Sequence, residues 1–132
     1  PAFVSQLDLF ASLGKLVGGE VPESIDSREH LDALLGKTDT AREDLILEAQ
    51  GKLAYRSGKY ALIPPYKGPE TNITKNELGN LPDWSLFDLE ADRGQRNNIA
   101  AQEPETLERL KNAFMAIAGD HYNPNMKEEE LK

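Results

Sequence analysis

Cysteine is absent from this chain. That excludes disulfides, thiolate-ligated zinc and any thiol nucleophile. Histidine is nearly absent, with only His30 and His121. They do not stand at the His-x-x-x-His or His-x-His spacing of a two-histidine metal site. Positive charge is short: 15 Lys and Arg face 23 Asp and Glu, for a net charge of −8. A field of that sign repels phosphate backbones and anionic lipid, so neither a nucleic acid nor a membrane is expected as a partner. No run of apolar residues approaches the roughly 18 needed to span a bilayer. The start at Pro1-Ala-Phe-Val, without an initiator Met, is what an excised segment would show.

What is present suits one small domain. A chain of 132 residues, 39% of them hydrophobic, can bury a modest core without staples. Residues 5–17 read as a helix, because Phe3, Leu7, Phe10, Leu13 and Val17 recur at spacings of three and four. Ser5 with Asp8 three residues on resembles a capping box, and Gly18-Gly19 ends the helix. A second helix is expected over 27–35, capped by Asp26 or Ser27 and closed by Gly36.

The period then becomes two. Leu45, Leu47 and Ala49 alternate with Ile46 and Glu48 in a first strand, followed by a turn at Gln50-Gly51. Leu53–Arg56 and Lys59–Ile63 flank Ser57-Gly58, which reads as a hairpin turn. Two registers fit. A two-residue turn pairs Tyr55 with Tyr60 and Leu53 with Leu62, giving the cleaner apolar face, but sets Arg56 against Lys59. A bulge at Gly58 shifts the register by one and separates those charges. Pro64–Asn80 is a long polar loop, and loops of that length in compact domains are commonly functional. Trp84–Leu89 reads as a further strand. The last helix runs from Pro104 to Ala118 with a stripe of Leu107, Leu110, Phe114 and Ile117, and Met126–Lys132 reads as a frayed tail. The class is α+β: a small antiparallel sheet of about four strands packed against a C-terminal helix and preceded by two helices.

No local cluster declares a reaction. Asp88, Glu90 and Asp92 have the look of a calcium loop, but the glycine and the distant glutamate are out of register, so Asp92 is expected to bond its own backbone. Both histidines are expected at the surface. Lys52, Arg56 and Lys59 make the hairpin basic, with Lys67 and Lys75 in the loop beyond it. Such a patch either protects a strand edge or meets an anionic group. Asn72-Ile73-Thr74 fits the N-glycosylation sequon. Ser57 and Ser85 have no partners for nucleophilic attack.

Several stretches in order resemble one family. Trp84-Ser-Leu-Phe-Asp-Leu-Glu-Ala-Asp92, then Asn98-Ile-Ala100 and the Pro104-Glu-Thr-Leu-Glu-Arg-Leu helix start, is similar to the closing strand and last helix of the type I, formylglycine-dependent sulfatases. Ala54-Tyr-Arg-Ser-Gly-Lys-Tyr-Ala-Leu-Ile63 resembles that family's hairpin, with Ala61 where a second Lys is usual. Ser5-Gln-Leu-Asp-Leu-Phe10 resembles its Ser-x-x-Asp-Leu segment. Asn76-Glu-Leu-Gly-Asn80 is similar to the bacterial glycan-degrading branch. Arg93 and Gln95 depart from the usual turn, where Pro and Glu stand.

The resemblance implies that residues 1–132 form one C-terminal subdomain: 1–36 a helical lead-in packing on an N-terminal catalytic domain, 44–119 the sheet and helix, 120–132 a tail. It implies a parent sulfuric ester hydrolase, periplasmic or secreted, acting on a sulfated glycan or aryl sulfate. In the family, calcium holds the sulfate and a formylglycine hydrate attacks sulfur. The nucleophile motif, Cys/Ser-x-Pro-x-Arg, does not occur here. This segment is therefore expected to carry no cofactor, no metal, no catalytic residue and no activity alone. Arg56, Lys59 and Tyr60 are its candidates for the substrate rim. The competing expectation is a free-standing protein- or ligand-binding α+β module using the Pro64–Asn80 loop. An acid–base enzyme built on Asp88 and Glu90 has no supporting residue in the sequence.

Overall fold

The computed structural model describes residues 2–49, 52–71, 73–76, 79 and 81–124. The chain divides into two compact units, Pro1–Glu43 and Asp44–Lys132.

The first unit is built on helix α1, Asp8–Leu16. Half of the expected capping box forms ahead of it: Asp8 Oδ2 accepts the Ser5 N–H (3.0 Å), but Ser5 Oγ accepts the N–H of Leu7 (3.3 Å) instead of that of Asp8, which bonds the Ser5 carbonyl. Its end is a Schellman motif, in which Gly18 N–H bonds Lys15 O and Gly19 N–H bonds Gly14 O. Gly18 has φ +72°, a conformation that costs a side chain about 1–2 kcal/mol. Helix α2 is a single turn, Leu31–Leu34, shorter than the 27–35 expected from sequence. Residues 27–30 are drawn onto α1 instead. Ser27 Oγ accepts the Ala11 N–H, while the N–H groups of Arg28 and His30 are donated to Asp8 and Ser12 side chains. Side-chain acceptors reached across the chain outcompete a further turn of helix. Gly36 and Lys37 close α2 with the same pair of bonds as α1, to Ala33 and Asp32 carbonyls.

The second unit is a four-stranded antiparallel sheet under one helix. Strands β1 (Asp44–Ala49), β2 (Lys52–Ser57), β3 (Tyr60–Ile63) and β4 (Ser85–Asp88) lie in sequence order. Helix α3 runs Pro104–Ala118 with proline in its first turn, and a 3₁₀ turn η1, Gly119–His121, follows. The Gln50-Gly51 turn, the Asn72 sequon and the Met126–Lys132 tail lie outside the described residues.

The hairpin differs from both registers read from sequence. Ser57 pairs with Tyr60, Arg56 with Ala61 and Tyr55 with Leu62, so the turn is Gly58-Lys59. Gly58 takes φ +54° at the first turn position, where tight hairpins favour glycine. Serine would be strained there, and the observed register also removes the Arg56–Lys59 clash. Gly58→Val is expected to cost about 1–2 kcal/mol, read as a lower urea midpoint, because the crowding comes from backbone conformation in otherwise open space.

Strand alternation assigns the faces. Tyr55, Leu62 and Leu86 line the face toward α3 and join Leu110, Phe114 and Ala118 in one buried cluster. Phe114 is fully buried among Tyr55, Trp84 and Tyr122, with ring centroids 6.2, 5.7 and 5.3 Å away. The helix stripe passes through Ala118 and not through Ile117, which is 53% exposed. Leu110, Phe114 and Ala118 follow one another at i+4 steps, a row that advances about 40° round the helix at each step and leaves Ile117 at its margin. The outer edge of β4 is covered by residues 98–99. Ile99 N–H bonds Leu86 O, and Asn98 Oδ1 accepts the N–H groups of Leu86 and Ala100.

Candidate functional site

The hairpin brings its candidate rim residues together only in part. Arg56 stands opposite Ala61, on the sheet face turned away from α3, and is half-buried. Tyr60 lies on the other face and packs against the core cluster. Lys59 sits in the turn. Its Nζ is 2.6 Å from Asp88 Oδ2 and 5.0 Å from the centre of the Tyr60 ring. The hydrogen bond that Lys59 Nζ donates to Asp88 holds the pKa of the Lys59 ammonium above its ordinary value, and the same bond holds Asp88 below the usual carboxylate range. Lys59 and Tyr60 thus form one local group with Asp88, and Arg56 belongs to a different surface.

Two of the three acidic side chains, Asp88 and Asp92, are spent on turns. Asp88 Oδ1 accepts the N–H groups of Glu90 and Ala91, and Asp92 Oδ2 accepts those of Arg96 (2.6 Å) and Asn97 (2.8 Å). This is the backbone-bonding role expected of Asp92. Among the described residues no group of three or more His, Cys, Asp and Glu side chains is placed to hold a metal ion.

The long loop is tied at its base. Pro64 and Tyr66 are buried, Tyr66 N–H bonds Leu81 O (2.9 Å), and Tyr122 donates its hydroxyl to Pro65 O (3.0 Å). Burial, reinforced by Tyr66, pushes the Tyr122 hydroxyl up to about 12, so it remains a hydrogen-bond donor through neutral pH. Beyond Lys67 the described loop residues are exposed.

The most elaborate polar arrangement lies in the first unit, where sequence reading placed none. Asp8 is fully buried, and Arg42 Nε reaches both its oxygens at 2.8 Å while one terminal nitrogen stands 2.6 Å from Oδ1. The same guanidinium donates to the Asp26 carbonyl, and the Arg42 N–H bonds Phe3 O. Burial alone would raise the Asp8 pKa. The Arg42 bonds and the Ser5 and Arg28 N–H groups outweigh it and hold the carboxyl below its ordinary 3.8. Asp8 thereby clasps segments near residues 5, 28 and 42. His30, expected at the surface, is half-buried, and among the described residues its Nε2 finds no hydrogen-bond partner. His121 is exposed as expected.

The clasp inverts the usual polarity of α1. Asp8, Ala11 and Ser12 are its buried residues, whereas Leu7, Leu9, Phe10, Leu13, Leu16 and Val17 are exposed. Sequence periodicity marked the apolar stripe. It carried no signal for Arg42, which lies 34 residues from its partner.

These features describe a small α+β sheet-and-helix unit with a polar-clasped helical lead-in. No family model matches the chain. An N-acetylgalactosamine-6-O-sulfatase of Bacteroides thetaiotaomicron is 39% identical over 120 residues, which is 88% of this chain and 24% of that protein. A solved Bacteroides thetaiotaomicron structure, BT33336S-sulf, tied to the metabolism of multiple glycosaminoglycans, has TM-score 0.81 and 39% identity. The match covers 88% of this chain and 25% of that one. The crystal structure of Ps i-CgsB in complex with k-i-k-neocarrahexaose has TM-score 0.64, covering 98% of this chain and 27% of that one. At 18% identity it speaks for the fold alone. The chain is sulfatase-like and fits a C-terminal sulfatase segment, spanning about a quarter of the length of these relatives.

Proposed function

We propose that this chain is the C-terminal subdomain of a bacterial sulfuric ester hydrolase, periplasmic or secreted, that removes sulfate from a glycan. The observation that carries this reading is 39% identity sustained over 88% of the chain, with the fold kept at TM-score 0.81. The relative's name supports a 6-O-sulfated amino sugar as the substrate class. Among the described residues no helix is long and apolar enough to cross a membrane, which is compatible with an exported parent.

This chain's residues do not fit the groups that the parent would use. It contains no Cys/Ser-x-Pro-x-Arg motif to supply formylglycine, and both oxygens of Asp88 and Oδ2 of Asp92 are engaged by backbone N–H groups and Lys59. Calcium and formylglycine therefore belong to the remainder of the parent, with the catalytic steps. The part left to this segment is structural, with Lys59 and Tyr60 of the hairpin as contributors to the substrate rim, while Arg56 faces the other side of the sheet and is not part of that rim. A sulfated glycan suits a cationic rim, since guanidinium and ammonium groups both donate to sulfate oxygens.

The expected result for the purified 132-residue chain is no sulfate release from an aryl sulfate or a sulfated glycosaminoglycan, while the natural-length protein releases it. Turnover by the segment alone, in a preparation shown by mass to be free of longer chain, would overturn the proposal. The second unit's closed core favours the competing reading of a free-standing binding module. The exposed stripe of α1 tells against it, because a free-standing module should cover its own apolar face.

A further inference from the structure

We propose that the turn carrying Arg93 and Arg96 is an oxyanion site, which binds a sulfate or carboxylate that the glycan carries away from the ester being cleaved. This rests on the sulfatase reading above and narrows its substrate class to a polyanionic glycan chain, as opposed to an isolated sulfated sugar.

In a chain of net charge −8, cations readily find carboxylates. Lys15, Lys37, Lys59 and Lys111 each pair with one. Arg93 and Arg96 do not. Both are exposed, and among the described residues neither guanidinium has an ion-pair or hydrogen-bond partner. The turn keeps its own carboxylates off its own cations. Asp88 gives one oxygen to Lys59 and the other to backbone N–H groups, and Asp92 Oδ2 takes the N–H groups of Arg96 and Asn97. Those bonds also fix the turn's shape. Gln95 N–H bonds Asp92 O at 3.2 Å, and Gln95 holds φ +51°, a conformation that a side chain disfavours. The Arg96 side chain folds back across Gly94, where a Cβ would stand 3.2 Å from its Nε and 3.6 Å from its Cγ. Glycine at 94 therefore leaves the room that Arg96 occupies.

The turn is continuous with the hairpin tip. Leu89 N–H bonds Lys59 O at 2.8 Å, Asp92 N–H bonds Asp88 O at 2.7 Å, and Asp88 holds Lys59 Nζ. Lys59 of the candidate rim and the two arginines thus belong to one end of the sheet. The Lys59 charge is already met by Asp88, so the cationic capacity still open there is that of the guanidiniums. A guanidinium offers forked donors that match two oxygens of one oxyanion, which is the geometry of a sulfate ester or a uronate carboxylate. The same turn is where this chain departs from the family it resembles, with Arg93 and Gln95 in place of Pro and Glu, so the site is a property of this chain and not of the shared fold. Glu90, exposed in the same turn, is the carboxylate that opposes an incoming anion.

The test uses the natural-length protein and three substrates: N-acetylgalactosamine 6-sulfate, a chondroitin 6-sulfate hexasaccharide, and that hexasaccharide with its carboxylates reduced to alcohols. The readout is kcat/KM for the hexasaccharide divided by kcat/KM for the monosaccharide. The double change Arg93→Ala with Arg96→Ala should lower this ratio about tenfold, the scale of two exposed charge contacts, with the loss in KM. Its hexasaccharide KM should also depend less on salt. Arg93→Lys with Arg96→Lys should restore part of the ratio, and Glu90→Gln should raise it. An unchanged ratio in the alanine variant, or a fall in kcat shared by all substrates, would overturn the proposal. Persistence of the arginine effect on the reduced hexasaccharide assigns the site to a second sulfate, and its disappearance assigns it to a carboxylate. The two levels of failure are separable. A natural-length protein that releases sulfate from none of the three removes the sulfatase reading and the site together. One that releases sulfate with an unchanged ratio removes the site alone.

Discussion

Asp8→Ala is expected to destabilise the Pro1–Glu43 unit by about 3–5 kcal/mol, the cost typical of removing one partner from a buried ion pair. The reason is the charge left behind. The side chains of Asp8 and Arg42 are 0% and 4% exposed, and among the described residues only the Asp26 carbonyl would remain against the guanidinium. The Ser5 and Arg28 N–H groups would also lose their acceptor. Hydrogen exchange along Asp8–Leu16 reads the effect directly, since exchange there should approach that of an open helix. The double change Asp8→Leu with Arg42→Met should recover a large part of the loss, because no buried charge remains. If the single variant exchanges like the parent sequence, the clasp does not hold the unit.

The same pair fixes a pH dependence. The folded pKa of Asp8 lies below its ordinary 3.8. The clasp's contribution is therefore complete above pH 3.8 and is lost as pH falls through the lower, folded value. Protection of α1 amides should decline in that acid window in the parent sequence, and the Asp8→Leu/Arg42→Met double variant should show no such decline.

Phe114→Ala should cost the second unit about 3–5 kcal/mol, as truncation of a buried phenylalanine does. Phe114 has no exposed surface and is the ring against which Tyr55, Trp84 and Tyr122 all pack. It joins the sheet to the helix and to the segment after it, so a cavity there has walls from several segments and cannot collapse from one side. Trp84, edge-on at 5.7 Å, is the only tryptophan and gives a fluorescence signal for this unit. The urea midpoint should fall by about 2 M for a slope near 2 kcal/mol per molar. An unchanged midpoint would mean that the aromatic cluster is not the core.

The second unit was the more legible in sequence. Four short strands were legible, the first from its period of two and the next two from the turn residues between them, short turns required antiparallel pairing, and Pro104 with Gly119 bracketed α3 within a residue of its observed ends. What escaped was decided by contacts that local pattern does not carry. The hairpin register turned on which residue takes φ +54°, and Gly58 could have stood second in a Ser57-Gly58 turn as readily as first. The expected length of α2 failed because Asp8 and Ser12, 18 to 20 residues earlier, capture the N–H groups of Arg28 and His30.

The candidate rim shows the same limit. Arg56 and Tyr60 are near neighbours in sequence and form one basic-aromatic patch when read as text. The pleat and the Ser57–Tyr60 pairing send them to opposite faces. For α1, periodicity located the apolar stripe correctly. Which side of the helix is buried depends on Arg42, and no periodic signal connects Arg42 to Asp8.

The central claim, that this chain is one part of a longer sulfatase, is tested most directly by the intact mass of the natural protein with peptide mapping of what adjoins Pro1. The account predicts a chain roughly four times this length, judged from the 24% of the relative that is matched, containing a Cys/Ser-x-Pro-x-Arg peptide with the mass change of formylglycine. A natural chain that begins near Pro1 and contains no such peptide would contradict it and leave a binding module that shares the sulfatase fold.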